Sequence, residues 1–464
     1  MKDGDQISLI RFIPPEARRV LEISEQPSKL AEISAERSPN AKIFWSVPGG
    51  VVPAGPLDCI VVFDSPSPQE GYDTISLALE LLADGGQVIA AGGLVSEDQL
   101  GAADCSVFER AGHIRAVKRG PKVRPVLLHC SIPVANENHA DIRIHRPNAF
   151  LRTIPGLRPI SQIEYINNGI AEANEAKILL LHRSIMREER DMGFLRSVLD
   201  QNYLIVQEID DDPRHFEDSY TKNNRFALRC AHAAQTSRQP VADFLGETLD
   251  DVAIFANQMA FLPALREPIK RKAVRVFFGA FNREPDRDEI LGAINRVIER
   301  SDRPIEFEVI HDRGFFDGLK TDRKRFTIRM NYELYLDILR RADIALLPLL
   351  DTQFNRCKSD LKFIESAAHG VVAIASPTVY AETVRDGETG VLYRSPEEFE
   401  ERFTRLVAEE ARRLAIREAA WAYVRDERML ADHYRARHDW YLNLIDRADE
   451  LRAAHRARMP EIYG

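Results

Sequence analysis

The sequence predicts an α/β protein built from three successive layers of strands and helices. Short apolar runs rich in β-branched residues recur along the 464 residues, and stretches of helical spacing lie between them. Alternation of this kind favours parallel sheets covered by helices. The chain is also too long for one compact core, which indicates two or three domains.

The composition is that of an ordinary globular protein with 44% hydrophobic and 29% charged residues. The formal net charge of -9 argues against a nucleic-acid partner, because duplex binding needs a positive surface. A local basic groove for a phosphorylated ligand is still compatible with this charge.

The five cysteines are scattered, odd in number and free of CxxC spacing, so neither a zinc site nor a disulfide framework is predicted. The first residues lack the apolar core of a signal peptide. No apolar run reaches the roughly 20 residues that span a bilayer. We therefore expect a reduced, cytoplasmic protein.

The first block, residues 1–120, contains strand candidates at 19–23, 59–63 and 87–90. A helix is predicted over 75–82 and a turn at 84–86. Charged residues with Gly120 and Pro121 make 115–122 a candidate linker.

The second block, residues 121–263, has strand candidates at 126–129, 177–181, 203–209 and 253–255. The third block, residues 264–430, has strands predicted at 274–278, 305–310, 344–347 and 371–375, with helices at 288–300, 333–341 and 359–369. It is a second Rossmann-like unit. From Pro396 the chain is charged and helical, and residues 431–464 form a terminal helical segment with Trp440 and Tyr441 as packing anchors.

The segment 342–376 carries the chemistry. A buried strand leads into a loop, a helix and another buried strand, and ligands of open α/β sheets lie at the carboxyl ends of strands. Lys358 and Lys362 stand at the start of the helix, where cations oppose the helix dipole unless an anion binds there. Glu365 would share a face with Lys358 if the helix began early enough.

A cation for diphosphate and a carboxylate for sugar hydroxyls suit a nucleotide-diphosphate ligand. On spacing alone, a solvated helix face with Asp360 neutralising the lysines explains the pattern equally well.

The same segment resembles the donor-binding core of GT-B glycosyltransferases, close to glycosyltransferase family 4. Glu365 followed by SAAHGVVAIAS matches the second glutamate of the family pattern, and Glu382 followed by the Gly387-x-x-Gly390 turn matches a later element. The resemblance implies two Rossmann-like domains of a GT-B glycosyltransferase plus a small N-terminal α/β Rossmann-like domain.

The chain departs from the family at Cys357, which stands where the first glutamate of the pattern falls. The variant that begins at Asn355 resembles a subgroup associated with bacterial surface polysaccharides. The donor sugar therefore stays open.

The resemblance also implies a donor site in the third block. Gly279 and Arg283 would hold the diphosphate together with Lys358, and Glu365 would bind the ribose. Asp312 and Asn331 would line the nucleobase pocket, and Asn355 and Ser359 would supply the remaining donor contacts. The donor would be a nucleotide-diphosphate sugar, and no metal or other cofactor is expected, because GT-B enzymes generally need no bound metal.

The second block would then be the acceptor domain. Three aspartates, 210–212, follow a strand, and such a cluster is costly unless it is solvated or used. A metal site or an exposed acidic turn are alternatives, but we prefer a cleft loop in which Asp211 or His215 orients the acceptor hydroxyl. On the acceptor side, the residues expected to face the same cleft are Asn136, Asp141 and Arg143.

The first block resembles an S-adenosylmethionine-dependent methyltransferase with an eroded active site. The strand ending at Ile23 matches, but Ser24-Glu25-Gln26-Pro27 replaces the glycines that let a cofactor approach the backbone. We interpret this block as a scaffold or interaction domain.

The sequence thus favours a retaining, metal-independent glycosyltransferase that acts on a glycan, lipid-linked or protein acceptor in surface polysaccharide or glycoprotein synthesis. A non-catalytic assembly protein is an alternative supported by Cys357, and a methyltransferase using the first block is a second one. The arginine-rich stretch 435–458 also leaves a peripheral contact with the inner face of the membrane open.

Overall fold

The computed structural model describes residues 9–64, 71–110, 112–120, 123–134, 140–164, 166–216, 222–268, 271–280, 284–328 and 331–463. These residues form three six-stranded sheets, and each sheet lies within one of the three predicted blocks. The prediction of an α/β fold with three layers is confirmed.

The first sheet has the strand order β2-β1-β3-β4-β6-β5. Its first four strands pair in parallel, whereas β6 is antiparallel to both β4 and β5. The strands are β1 (Arg19–Ile23), β2 (Lys42–Ser46), β3 (Leu57–Val62), β4 (Leu82–Ala91), β5 (Cys105–Arg110) and β6 (His113–Lys118). The helices of this layer are α1 (Leu30–Arg37), α2 (Gly71–Leu81) and α3 (Glu97–Ala102).

The prediction of a linker at 115–122 is wrong in its first half, because Arg115 and Lys118 belong to β6. Their charges are compensated inside the fold: Arg115 donates to the Glu109 carboxylate at 2.6 Å, and Lys118 donates to the Leu79 carbonyl at 2.8 Å. Satisfied hydrogen bonds make burial of such groups tolerable. The predicted turn at 84–86 lies within β4, where the pairing with β3 is irregular.

The second sheet is parallel throughout, with the order β12-β11-β10-β9-β7-β8. Its strands are β7 (Val126–Ile132), β8 (Leu157–Ile163), β9 (Ala176–His182), β10 (Leu204–Glu208), β11 (Ala233–Thr236) and β12 (Val252–Ile254). The helices are α4 (Arg146–Leu151), α5 (Glu188–Asp200), α6 (Lys222–Arg229) and α7 (Gln239–Gly246). A π-helical turn, Asp141–His145, precedes α4.

The third sheet is also parallel, with the order β15-β14-β13-β16-β17-β18, which is the 3-2-1-4-5-6 order of a Rossmann fold. Its strands are β13 (Val274–Gly279), β14 (Ile305–Ile310), β15 (Lys324–Thr327), β16 (Ile344–Leu347), β17 (Val372–Ala375) and β18 (Val391–Leu392). The helices are α8 (Glu284–Arg300), α9 (Arg313–Gly318), α10 (Tyr332–Leu339), α11 (Gln353–Arg356), α12 (Leu361–Ala368), α13 (Pro377–Tyr380) and α14 (Pro396–Ala408).

The remaining helices carry the chain back from the third sheet to the second. They are α15 (Glu410–Glu427), α16 (Leu430–His433), α17 (Arg435–Asp446), α18 (Ala448–Arg458) and α19 (Pro460–Tyr463). The buried hydroxyl of Tyr441 donates to Gln235 at 2.8 Å, and Met459 and Ile462 enter the apolar core of the second domain. The terminal segment therefore packs against the second domain.

Within the described ranges, no helix combines the length and the apolar character that a bilayer span requires.

Candidate functional site

A cleft lies where the carboxyl ends of the second and third sheets meet. It contains a cavity of about 620 Å³. Asp141 and Arg146, which follow β7, line one side, and Asn331 and Tyr332, which follow β15, line the other. The cleft is therefore at the sheet edge where α/β folds bind ligands.

Two predicted site residues, separated by 147 positions, meet between the second and third domains. Neither of them lines the cavity. The ammonium of Lys358 lies 2.8 Å from both carboxylate oxygens of Asp211. Asp211 follows β10 of the second domain, and Lys358 follows α11 of the third. Both side chains are mostly buried, with 21% and 17% exposed. The ion pair joins the two domains at the site.

An aromatic side chain supports this ion pair. The Lys358 ammonium lies 4.0 Å from the centre of the Phe354 ring, and the His215 ring lies 4.4 Å from the same ring. The structure thus brings together Asp211, His215 and Lys358, the three described residues for which a catalytic role is predicted.

Cys357 faces Arg214, whose guanidinium donates to the sulfur at 3.5 Å. Burial raises the pKa of the Cys357 thiol to about 11. The residue that stands in place of the family glutamate is therefore a neutral, buried thiol at physiological pH.

Each of the three clustered aspartates has its own cation. Asp210 pairs with Arg183, Asp211 with Lys358, and Asp212 with Arg214. The carboxylates are therefore directed to three different partners. In the part of the chain that the structure describes, no group of three or more acidic, histidine or cysteine side chains is placed to hold a metal ion.

Asn355 stabilises the loop from inside. It is 5% exposed, and its amide donates to the Asp286 carboxylate at 2.8 Å and to the Leu350 carbonyl at 3.0 Å. Asp286 also accepts from the Leu350 amide at 2.9 Å. These bonds fix the loop that presents Lys358.

Glu365 is buried on α12 with only 2% exposure. The hydroxyl of Tyr332 donates to its carboxylate at 2.5 Å, and burial raises the pKa of this carboxyl. The predicted shared helix face with Lys358 is wrong, because α12 begins at Leu361 and Lys358 lies before it. Lys362 lies on α12 with Glu365, and its ammonium donates to the Gly279 carbonyl at 2.7 Å.

This burial makes stability dependent on pH. An ordinary glutamate carboxyl has a pKa of 4.5, and burial raises that of Glu365 in the folded chain. Between these two pKa values the Glu365 carboxyl is protonated in the folded state and ionised in the unfolded chain. The contribution of Glu365 to the free energy of unfolding therefore falls as pH rises from about 4.5 through the folded pKa. We expect Glu365→Gln to melt a few degrees above the wild type near pH 7.5 and together with it near pH 4.

Thermal melts across this pH range measure the difference, with the exposed Glu299→Gln as the matched control. A variant that is less stable than the wild type at both ends of the range would contradict the assignment.

The two predicted nucleobase residues cap helices. Asp312 accepts from the Phe315 amide at 2.8 Å and from Arg287 at 2.7 Å, and Asn331 accepts from the Leu334 amide at 2.9 Å. Asn331 is exposed and lines the cleft cavity. The hydroxyl of Ser359 accepts from Asn257 of the second domain at 2.9 Å and so connects the two domains beside the loop.

Gly279 ends β13 against aromatic rings. A Cβ there would lie 2.7 Å from the Phe277 ring and 3.0 Å from the Tyr335 ring. The close packing of these rings accounts for the glycine.

The described acceptor-side residues differ in exposure. Asp141 is partly exposed and accepts from Arg146 at 2.7 Å. Arg143 is 1% exposed and donates to Glu208 at 2.8 Å, so it holds a buried carboxylate instead of facing the cleft. Asn136 and Arg283 lie outside the described residues.

The sequence interpretation missed several residues of the cleft. Arg146 stacks over Tyr332 at 5.0 Å, and Tyr332 stacks with Tyr335 at 6.0 Å. The sequence did contain a signal for this pair. The two tyrosines are three positions apart directly after Asn331, and residues at this spacing on a helix are neighbours.

Residues 287–443 match the family model described as glycosyl transferase-like. This part of the chain is a glycosyltransferase domain. It covers most of the third sheet and the helices that follow. The second and third sheets are Rossmann-like and meet at one cleft, and this domain contains the third sheet. The predicted GT-B architecture is therefore confirmed.

The solved structures that are similar to the chain include the following three. S. aureus TarM is 9% identical, with 58% of this chain and 54% of TarM covered and a TM-score of 0.43, so the chain spans about half of TarM. Anabaena HepE in complex with UDP is 11% identical (68% and 99% covered, TM-score 0.46). A glycosyltransferase from Rickettsia africae is 11% identical (69% and 99% covered, TM-score 0.48). No curated protein matched the sequence.

Proposed function

We propose that the chain transfers a sugar from a nucleotide-diphosphate sugar to an acceptor hydroxyl. The match of residues 287–443 to the glycosyltransferase family carries the proposal. The cleft supports it, since a cavity of about 620 Å³ at the carboxyl edge of a Rossmann sheet is of the size that small ligands occupy.

On the donor side, Lys358 and Lys362 supply positive charge next to the start of α12. A diphosphate would replace Asp211 as the partner of Lys358 and gain the helix amides as donors. Glu365 would bind the ribose beside Tyr332. The diphosphate role of Gly279 and Arg283 and the nucleobase role of Asp312 and Asn331 stay predictions, while Asn355 and Ser359 would hold the loop.

In the reaction, the bond from the anomeric carbon to the diphosphate oxygen breaks and the bond to the acceptor oxygen forms. Lys358 would stabilise the negative charge that develops on the leaving diphosphate, which is electrostatic catalysis. Asp211 or His215 would orient the acceptor hydroxyl and take its proton. Asp141, which belongs to the same domain as Asp211 and His215, would also contact the acceptor.

The finer features rest on the family resemblance. They are retention of the anomeric configuration, independence from metal, and a glycan, lipid-linked or protein acceptor as in surface polysaccharide or glycoprotein synthesis. A cytoplasmic site of action rests instead on the cysteine pattern and the apolar runs of the sequence, and a peripheral contact with the inner face of the membrane rests on the arginine-rich stretch 435–458.

A second candidate, a non-catalytic assembly protein, is favoured by two observations. Cys357 is a buried thiol where the family has a carboxylate, and Lys358 is already neutralised by Asp211. Binding without turnover would identify this alternative.

We also propose that the first domain is a scaffold and not a methyltransferase. Glu22 is 2% exposed and accepts from the Ser24 hydroxyl and from the Ser28 amide, both at 2.7 Å. The loop that would hold S-adenosylmethionine is therefore closed around Glu22.

The decisive experiment is a donor-hydrolysis assay over uridine, guanosine, adenosine and thymidine diphosphate sugars. We expect slow release of nucleoside diphosphate from at least one donor, unchanged by EDTA and strongly reduced in Lys358→Ala. With an acceptor in hand, proton NMR of the product reports whether configuration is retained. Absence of turnover from every donor, in the presence of tight nucleotide binding, would instead support the assembly protein.

A further inference from the structure

A second cavity lies at the opposite edge of the third sheet from the cleft. It measures about 110 Å³ and is surrounded by residues that precede or begin β13, β16 and β17, so it faces the amino ends of the strands. Eight arginines and three carboxylates line it, in a chain whose net charge is -9. This is a concentrated positive site that the glycosyltransfer reaction does not use.

Part of this positive charge is compensated locally. Arg303 pairs with Glu410 at 2.8 Å, and Arg271 approaches Asp343 at 3.9 Å. Two further lining arginines pair with carboxylates just outside the cavity, Arg275 with Glu306 at 3.0 Å and Arg340 with Asp337 at 2.5 Å. The carboxyl ends of α10 and α12 also point here, and each contributes about half a negative charge. Together, the three lining carboxylates, Glu306, Asp337 and the two helix ends offset about three quarters of the arginine charge, while the amino end of α15 adds a little to it.

The rest of the charge has no carboxylate partner. Among the described residues, no acidic side chain forms an ion pair with Arg266, Arg341, Arg413 or Arg417. Burial and the charge of Arg340 lower the pKa of Arg266, and burial and the charge of Arg303 lower that of Arg413. The arginines therefore repel one another in the absence of an anion.

Backbone carbonyls hold several of these side chains in place. Arg413 donates to the Leu406 and Val407 carbonyls, Arg271 donates to the Arg341 carbonyl at 3.1 Å, and Arg417 donates to the Arg266 carbonyl. Guanidinium groups fixed in this way lose little conformational entropy when they bind a ligand.

We propose that this arginine cavity binds a phosphate-type anion. Guanidinium groups match phosphate oxygens in bidentate geometry. A small cavity lined by guanidinium groups suits a phosphate or diphosphate group. The anion is free phosphate or pyrophosphate, or the phosphate of a lipid headgroup.

The test compares four proteins by calorimetric titration with sodium pyrophosphate and with inorganic phosphate. They are the wild type, Arg266→Gln/Arg341→Gln, Lys358→Ala, and the control Arg425→Gln on α15 outside the cavity. Both cavity positions are exposed, so the double variant is expected to melt within about 2 °C of the wild type. We expect a saturable site that Lys358→Ala and Arg425→Gln retain and that the double variant weakens about tenfold or more.

A parallel arm measures co-sedimentation with phosphatidylcholine vesicles with and without phosphatidic acid. Binding that requires phosphatidic acid and is lost in the double variant supports the site with a lipid phosphate as its source. The proposal is overturned if the double variant matches the wild type in both arms, or if the wild type binds neither free anions nor vesicles. The outcome for the arginine cavity is independent of the proposed donor site, because Lys358→Ala alters only the donor site and the double variant alters only the cavity.

Discussion

Replacing Arg428 with alanine is expected to lower the melting temperature of the glycosyltransferase domain by roughly 6–20 °C. Arg428 ends α15 and forms two hydrogen bonds to Asp360, at 2.6 and 3.1 Å, just before α12 begins. It also donates to the Asn257 carbonyl of the second domain at 2.9 Å. The two ionised side chains are only 8% and 7% exposed.

The reason for so large an effect is the charge left behind. Breaking a buried ion pair by removing one partner costs about 3–5 kcal/mol, because the remaining carboxylate has neither water nor a cation. Asp360 would be that carboxylate, and it precedes the helix that carries Lys362 and Glu365. The alternative interpretation of the sequence, a solvated helix face, had Asp360 neutralise the nearby lysines, whereas in the structure Asp360 pairs with Arg428, 68 positions away.

Arg425→Ala is the matched control on the same helix. Arg425 pairs with its exposed neighbour Asp426, and an exposed pair contributes less than about 1 kcal/mol. Thermal melts of the two variants decide the question. A melting temperature for Arg428→Ala equal to that of Arg425→Ala would show that the Asp360 carboxylate is hydrated in the folded protein.

The layers of the fold were predictable because their signals are local. The strands of the third domain are short apolar runs, and the intervening helices show apolar residues at helical spacing, so each element could be recognised from neighbouring residues. The linker prediction failed at Arg115 for the complementary reason. A charged stretch normally indicates solvent, whereas the Arg115 guanidinium is satisfied by the nearby Glu109 carboxylate and by the Thr153 carbonyl, 38 positions away.

For the candidate site, the sequence names residues but does not determine their contacts. Lys358 and Glu365 are only seven positions apart, yet one forms an ion pair across the domains and the other is buried under Tyr332. Periodicity could not determine this, because it depends on the residue at which α12 begins. The pairing of Lys358 with Asp211 depends on how two sheets pack, which no local pattern specifies.

The second large effect is expected at that ion pair. Lys358→Ala should weaken nucleoside diphosphate binding about ten- to a hundredfold, because a charge-assisted contact contributes roughly 1.5–3 kcal/mol. Removal of the ammonium also leaves the Asp211 carboxylate facing the anionic ligand, which adds repulsion. The exposed Lys320→Ala in the same domain is the control and should bind as the wild type does.

Asp211→Asn should behave in the opposite way. In the wild type, the Asp211 carboxylate accepts two hydrogen bonds of 2.8 Å from the Lys358 ammonium, so a diphosphate has to displace this carboxylate to reach Lys358. The amide is uncharged and competes less, and we expect this variant to bind nucleoside diphosphate at least as tightly as the wild type. Transfer should nevertheless fall, because the group proposed to orient the acceptor hydroxyl has lost its charge.

Calorimetric titration of both single variants and the double variant separates these contributions, and the effects of residues in contact are not expected to add. Unchanged affinity in Lys358→Ala would mean that the ion pair is only a connection between domains. Weaker binding in Asp211→Asn would mean that the carboxylate positions Lys358 for the diphosphate instead of competing for it. Tighter binding combined with lost transfer is the result that assigns diphosphate binding to Lys358 and the acceptor to Asp211.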